Sequence, residues 1–259
     1  MTTTSMSARA DEAVLSNTSN PVAANRTDRD SQFLGRLTGL MFIVTFATSI
    51  PPVLTFYVPA LTDPAFVLGG GFDMNLSWGA LFELMLIISN VATALALYPV
   101  LRRRFPVLSL GFVAARLVES GFIAVGIVAL MALNTLRLHA GDASPDALVA
   151  VGWALVAIHD WTFRLGPGVV VGIGNGLILG YMMWRARLVP RFLSIFGLIG
   201  GPALLAGGTA MLFGLIEVGS IPQALATLPE FVWELSLGVW LLVRGFNPTA
   251  LNALDSGRR

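Results

Sequence analysis

From about residue 37 onward, the chain alternates between apolar runs of some 20 residues and short polar joints, and the joints differ in their charge. A run of about 20 predominantly apolar residues is the length of helix that crosses the hydrocarbon core of a bilayer. Read this way, the pattern predicts spans at about 37–58, 78–101, 108–134, 161–184, 193–216 and 230–243. Pro51 and Pro52 fall in the later half of the first span, where a kink is expected, because neighbouring helices can satisfy the carbonyls that proline frees. The stretch 147–158 is apolar on every side, so it must be covered all round. It predicts an extra helix in the outer leaflet, either re-entrant or continuous with the fourth span. Residues 147–184 would extend about 57 Å as one helix. That also leaves room for two spans joined at RLGPG, so seven spans is the alternative.

The charges in the joints decide between six and seven. Arg26, Arg29 and Arg36, then Arg102 to Arg104, then Arg185, Arg187 and Arg191, and finally Arg244, Arg258 and Arg259 alternate with joints that hold one Arg or none. Short cytoplasmic loops carry the excess of basic residues. The alternation therefore puts both termini in the cytoplasm and requires an even number of crossings. The reading is an all-α, polytopic transmembrane helical bundle at 33–247. Residues 1–32, rich in Ser, Thr, Asn and Ala and without the apolar core of a signal peptide, precede it as a disordered cytoplasmic tail. A polar C-terminal tail follows at 248–259.

Composition narrows the chemistry. The 259 residues are 55% hydrophobic and 12% charged, with mean hydropathy +0.76, against about a quarter charged in a soluble domain. Any activity must reside in the bundle itself. The absence of cysteine excludes thiolate nucleophiles, iron–sulfur clusters and Cys-ligated zinc. The absence of lysine excludes a retinal Schiff base. No other cofactor is evident. No basic patch interleaved with aromatics points to nucleic acid, and the expected partners are the lipid bilayer and, within the bundle, a small solute or ion.

Counting along the predicted spans places the polar side chains in two layers. Glu83, His159, Asp160 and Glu234, with Glu230 and Arg164 beside them, fall near the outer ends of three separate segments, as a candidate outer polar cluster. Asn90, Arg116, Glu119 and Asn175 fall near the midplane. Arg116 and Glu119 are spaced i,i+3 and can pair on one helical face, and the cost of an unpaired charge in lipid turns both inward. Two histidines in the chain, one of them in a loop, are few for a catalytic zinc site; an acid-rich site for a harder cation stays open. Gly168, Gly172, Gly176 and Gly180 recur every four residues, a small-residue stripe that predicts close helix packing. No phosphate loop, nucleophile elbow or HExxH motif is present.

Three stretches, WGALFELMLIISNVATALALYPVL, HDWTFRLGPG running into GIGNGLILGYMMWRARLVPR, and FVWELSLGVWLLVRGF, occur in an order that resembles a bacterial family of multi-pass membrane proteins defined by domain of unknown function 4386 (DUF4386). The resemblance covers about residues 33–247. It implies a bacterial cytoplasmic membrane and an apolar residue where this chain has Arg164. It implies no activity. Three functions fit the residues: a transporter or channel-like protein for a small solute or ion, an intramembrane, hydrolytic enzyme, and a non-catalytic membrane partner or sensor. The first ranks ahead because buried acids suit ion or solute coupling, while no nucleophile or metal motif supports the second.

Overall fold

Each apolar run forms a helix, and Asp73, Ser144 and Ser220 in the joints cap three of the helix starts. The computed structural model describes the backbone of residues 21–256 and the side chains of residues 28–254. Helix α1 (Pro21–Pro51) passes into a π-helical turn, Pro52–Phe56. The expected kink takes that form because neither proline donates a hydrogen bond. The Tyr57 N–H instead reaches back five residues to the Pro52 carbonyl, 2.9 Å away. After the short α2 (Val58–Thr62), Asp73 caps α3 (Met74–Leu101) by accepting from the N–H groups of Asn75 and Leu76. Helix α4 covers Pro106–Leu138, and α5 (Pro145–Leu165) starts on a Ser144 cap.

The fourth apolar run then continues through RLGPG without turning back. Two π-helical segments, Gly166–Val170 and Gly172–Leu179, join α5 to α6 (Gly180–Ala186). Arg187, in the left-handed region at φ 56°, ends it. Helix α7 (Arg191–Leu212), α8 (Ile221–Arg244) and α9 (Pro248–Ser256) complete the chain.

Among the described residues, six helices are long and apolar enough to cross a membrane: Asp28–Phe56, Met74–Leu101, Pro106–Leu138, Pro145–Ala186, Arg191–Leu212 and Ile221–Arg244. The architecture is a six-span bundle. The extra outer helix is continuous with span four, which at 42 residues is about 63 Å long, well beyond the ~30 Å hydrocarbon core. Its first half is held by span three and by the joint after span one: Leu148 and Val156 are buried with Leu133 of α4 and Val67 of that joint. Each span packs on the next in sequence, and span six packs on span one, so the six close a ring.

Two expectations about the tails are corrected. Residues 21–32 are helical from Pro21, because α1 starts well before the apolar run. Within it Gln32 both donates to the Phe246 carbonyl at 2.8 Å and accepts from its N–H at 2.9 Å. Residues 1–20 lie outside the described residues. The stretch after Asn247 is an amphipathic helix rather than a polar tail: Ala250, Leu251 and Leu254 join a core with Leu101, Leu188, Leu193 and Phe246. Residues 257–259 are not among the described ones. Both ends of the described chain therefore meet on the arginine-bearing face. On the opposite face, Arg137 lies over the Phe66 ring and donates to the Phe66 carbonyl.

The glycine stripe forms a backbone-to-backbone seam between spans four and five. A Cβ at Gly172 would lie 2.8 Å from the Gly201 carbonyl, and one at Gly176 would strike the Gly201 backbone itself. Gly180 faces Gly197, and a Cβ at Gly208 would lie 2.7 Å from the Gly168 carbonyl. In an α-helix, every fourth residue drifts by about 40° around the axis. The wider π turns counter that drift and keep the stripe facing α7.

Replacing Gly201 by Ala sets a Cβ 2.7 Å from the Gly172 carbonyl and 2.8 Å from the Leu177 N–H. Both are backbone atoms that cannot swing aside. The expected loss is about 1–3 kcal/mol, read as a lower Tm in detergent. Gly121→Ala meets nothing within 4 Å and is expected to gain up to about 1 kcal/mol, by helix propensity. Equal melting of the two variants would contradict the seam.

Candidate functional site

The ring of six spans encloses a cavity of about 490 Å³ to which every span contributes. Its walls are mainly aliphatic and aromatic. Into them are set Glu83 and Asn90 from α3, Arg116 and Glu119 from α4, His159 from α5, and Glu230 and Glu234 from α8.

The i,i+3 pair exists and faces inward: Arg116 Nη1 lies 2.8 Å from Glu119 Oε2, and both residues are buried. The Asn90 amide donates to the other Glu119 oxygen at 3.0 Å, tying span two to span three. The guanidinium also lies 5.4 Å from the Phe42 ring centre and 5.8 Å from that of Phe112. These contacts hold the cation against quadrupoles of the right sign.

The outer residues divide. The Glu83 carboxylate accepts from the Tyr57 hydroxyl at 2.8 Å. The Tyr57 ring meets His159 edge-on at 5.4 Å, so Glu83, Tyr57 and His159 form one group. His159 also packs on Gly126, where a Cβ would lie 3.3 Å from its ring. Asp160 does not join them in the cavity wall. Its side chain is 44% exposed and its nearest carboxylate oxygen lies 3.8 Å from His159 Nδ1. Arg164 is outside the wall too, with its guanidinium over the Trp161 ring.

Glu234 belongs with the deeper residues. Its carboxylate accepts from the Asn175 amide, and the Arg116 charge is within electrostatic reach of both Glu230 and Glu234. The two expected layers therefore merge along α8. The reason is where α8 begins. Pro229 is inside the helix, which starts at Ile221, so Glu230 and Glu234 lie about 14 and 20 Å from its start. Asn175 reaches Glu234 from the π-helical segment. Its carbonyl accepts from the Gly180 N–H, five residues on, and from the Trp233 indole at 3.0 Å.

Glu230 is the residue that depth counting undervalued. It is 2% exposed, and neither carboxylate oxygen has a hydrogen-bond partner. The carboxylate rests in a notch between spans four and five, where a Cβ at Gly176 or Gly200 would come within 2.7 and 2.6 Å of Oε2. One signal was available in the chain: Ser220, followed by Pro222, is a helix-start pattern, and the Ser220 hydroxyl does accept from the Gln223 N–H. Tyr57 carried no such signal, because its partner is in another span. Among the described residues, no three His, Asp or Glu side chains are grouped so as to hold a metal ion.

This arrangement lies within the part of the chain that family comparison recognises. Residues 37–245 match the model of domain of unknown function 4386. The chain belongs to that family. No curated protein and no solved structure matches it. The matched stretch covers all the residues that line the cavity and reaches all six spans, leaving out the start of span one and the chain ends, and it carries no assigned activity.

The Arg116–Glu119 pair is expected to behave as a unit. Arg116→Met alone strands Glu119 and removes the cation near Glu230 and Glu234; Glu119→Met alone strands Arg116. Losing one partner of a buried pair costs about 3–5 kcal/mol, whereas replacing both with apolar residues is often near neutral. The double variant should thus melt above the Arg116→Met variant in detergent. A double variant that melts at or below it would show that Arg116 serves the α8 carboxylates rather than Glu119.

Proposed function

We propose that this membrane protein is a transporter that carries a small solute through its central cavity and couples that movement to protons. The observation that carries the reading is the convergence of four carboxylates on one cavity formed by all six spans, with Arg116 and His159 as the basic residues in its wall. Charged groups within spans are costly and mark ion or solute pathways. Carboxylates gathered away from water cannot all remain charged unless cations or protons balance them. Exchange of protons for a solute at these groups supplies that balance in both states of a transport cycle. The cavity is also of the size that buries a small organic molecule.

Proteoliposomes holding a pH-reporting dye and an imposed pH gradient test this. Three panels serve as solutes: permanently charged quaternary ammonium ions, zwitterionic amino acids and small carboxylates. One panel should collapse the gradient several-fold faster than in protein-free vesicles, and Glu234→Gln should remove that increment. If all three panels run at the protein-free rate, the transport reading fails.

The same proposal places the protein in the cytoplasmic membrane of a bacterium, with the arginine-bearing face and both termini inside. The alternation of Arg-rich and Arg-poor joints supports this. Reporter fusions after Arg259 and within the joint at Gly70 should report the cytoplasm and the exterior respectively. A shared compartment for the two would contradict the topology.

A further inference from the structure

We propose that the occupant of the cavity is an amphiphilic organic cation that reaches it laterally from the lipid, between spans one and six, and is held against Glu230. This deepens the transport reading and rests on its assignment of the cavity as a solute site.

The charge of the wall sets the sign of the ligand. Glu119 is neutralised by Arg116 and hydrogen-bonded by Asn90. Glu83 has the Tyr57 hydroxyl and lies on the His159 side. Glu234 has the Asn175 amide. When these are set aside, Glu230 is left with two unpartnered, buried oxygens on the cavity wall. Two glycines keep side chains out of its notch. A negative group so placed fits a positive centre, and the rest of the wall describes what is attached to that centre.

That wall is apolar, and it opens in one direction. Ile50 and Leu54 from span one and Phe231 from span six line the cavity, yet they are 41%, 70% and 41% exposed. The margin of the cavity therefore reaches the molecular surface between these two spans. Just inside it, Phe46 and Phe231 meet edge to face, with ring centres 5.1 Å apart. Farther along, the same two spans are closed backbone to backbone, where a Cβ at Gly39 would strike the α8 chain at Gly238 and Leu242. The opening is thus confined to one half of the seam, and in a membrane its rim of aliphatic and aromatic side chains faces lipid. A bare metal ion would not travel by that route, and among the described residues the His, Asp and Glu side chains are not grouped for one. A delocalised cation with an apolar body fits both the rim and the floor, and aromatic faces on the way favour it further.

Tetraphenylphosphonium and tetraphenylborate are a matched pair of probes, alike in shape and opposite in charge. Binding to the detergent-solubilised full chain is measured by equilibrium dialysis against protein-free micelles. The phosphonium should bind saturably and the borate should not. Binding should weaken as the pH falls, and in weakly buffered solution it should release protons. Glu230→Gln should weaken it at least tenfold. Equal binding of the two probes, or no saturable binding of the phosphonium, overturns the inference. So does phosphonium binding that releases no protons and is independent of pH. The pH dependence and proton release are read on the unmodified protein, so the test stands even if the variant fails to fold. Because the measurement needs no translocation, phosphonium binding without gradient collapse in vesicles would sink transport alone, and gradient collapse driven by another panel, without phosphonium binding, would sink only the cation.

Discussion

The constraint on which this bundle depends is that charge taken out of water must be answered within the protein. Four carboxylates line one cavity, and Arg116 and His159 are the basic residues set among them. Arg116 is therefore central to the architecture. It pairs with Glu119 on its own helix, lies over two aromatic rings, and acts across the cavity on the α8 carboxylates. A pair on one helix adds little to the packing between helices. Its consequence here comes from Asn90, which binds the far oxygen of Glu119 and so fixes span two to the ion pair.

The second requirement is room, and glycine supplies it. Span four approaches span five so closely that the two backbones touch at Gly172, Gly176 and Gly201. The same loss of side chains that permits the contact leaves the notch in which the Glu230 carboxylate sits, between Gly176 and Gly200. The seam and the notch that holds Glu230 are thus one feature. The π-helical turns serve both. They keep the stripe on the α7 side, and they turn the Asn175 side chain toward Glu234 while Trp233 occupies the Asn175 carbonyl.

Much of this was legible along the chain. The six apolar runs, the inward i,i+3 pair and the glycine stripe are properties of spacing, and spacing survives folding. What spacing could not carry was the location of helix ends. Hydropathy placed the start of span six at about Glu230, whereas the chain begins that helix at Ile221, nine residues earlier, after a Ser220 cap, and the shift moves Glu230 and Glu234 from a rim to the interior. The C-terminal stretch read as polar because Leu251 and Leu254 are isolated in the sequence; they form an apolar face only once the segment is helical. Tyr57 and its bond to Glu83 join residues 26 apart across α2 and the joint before α3, a contact that no local pattern encodes. Asp160 was grouped with His159 by depth along the span, yet consecutive residues on a helix point about 100° apart, and the helix sends one inward and the other out.

The geometry also bears on how protons and a cationic solute would share the cavity. Glu230 and Glu234 are spaced i,i+4 on α8, so they project to the same side, and each lies within the electrostatic reach of Arg116. Glu234 already has an amide donor, while Glu230 has none. A proton on Glu230 and an organic cation beside it answer the same unbalanced charge, so each disfavours the other. Competition of this kind needs no long-range conformational signal, because linkage between two ligands arises wherever they draw on one interaction. The transport reading also requires the opening of the cavity to change sides, and the π turn after Pro51 in span one and the first π segment of span four, where the regular α-helix is interrupted, both line its wall, through Val53, Leu54 and Pro167.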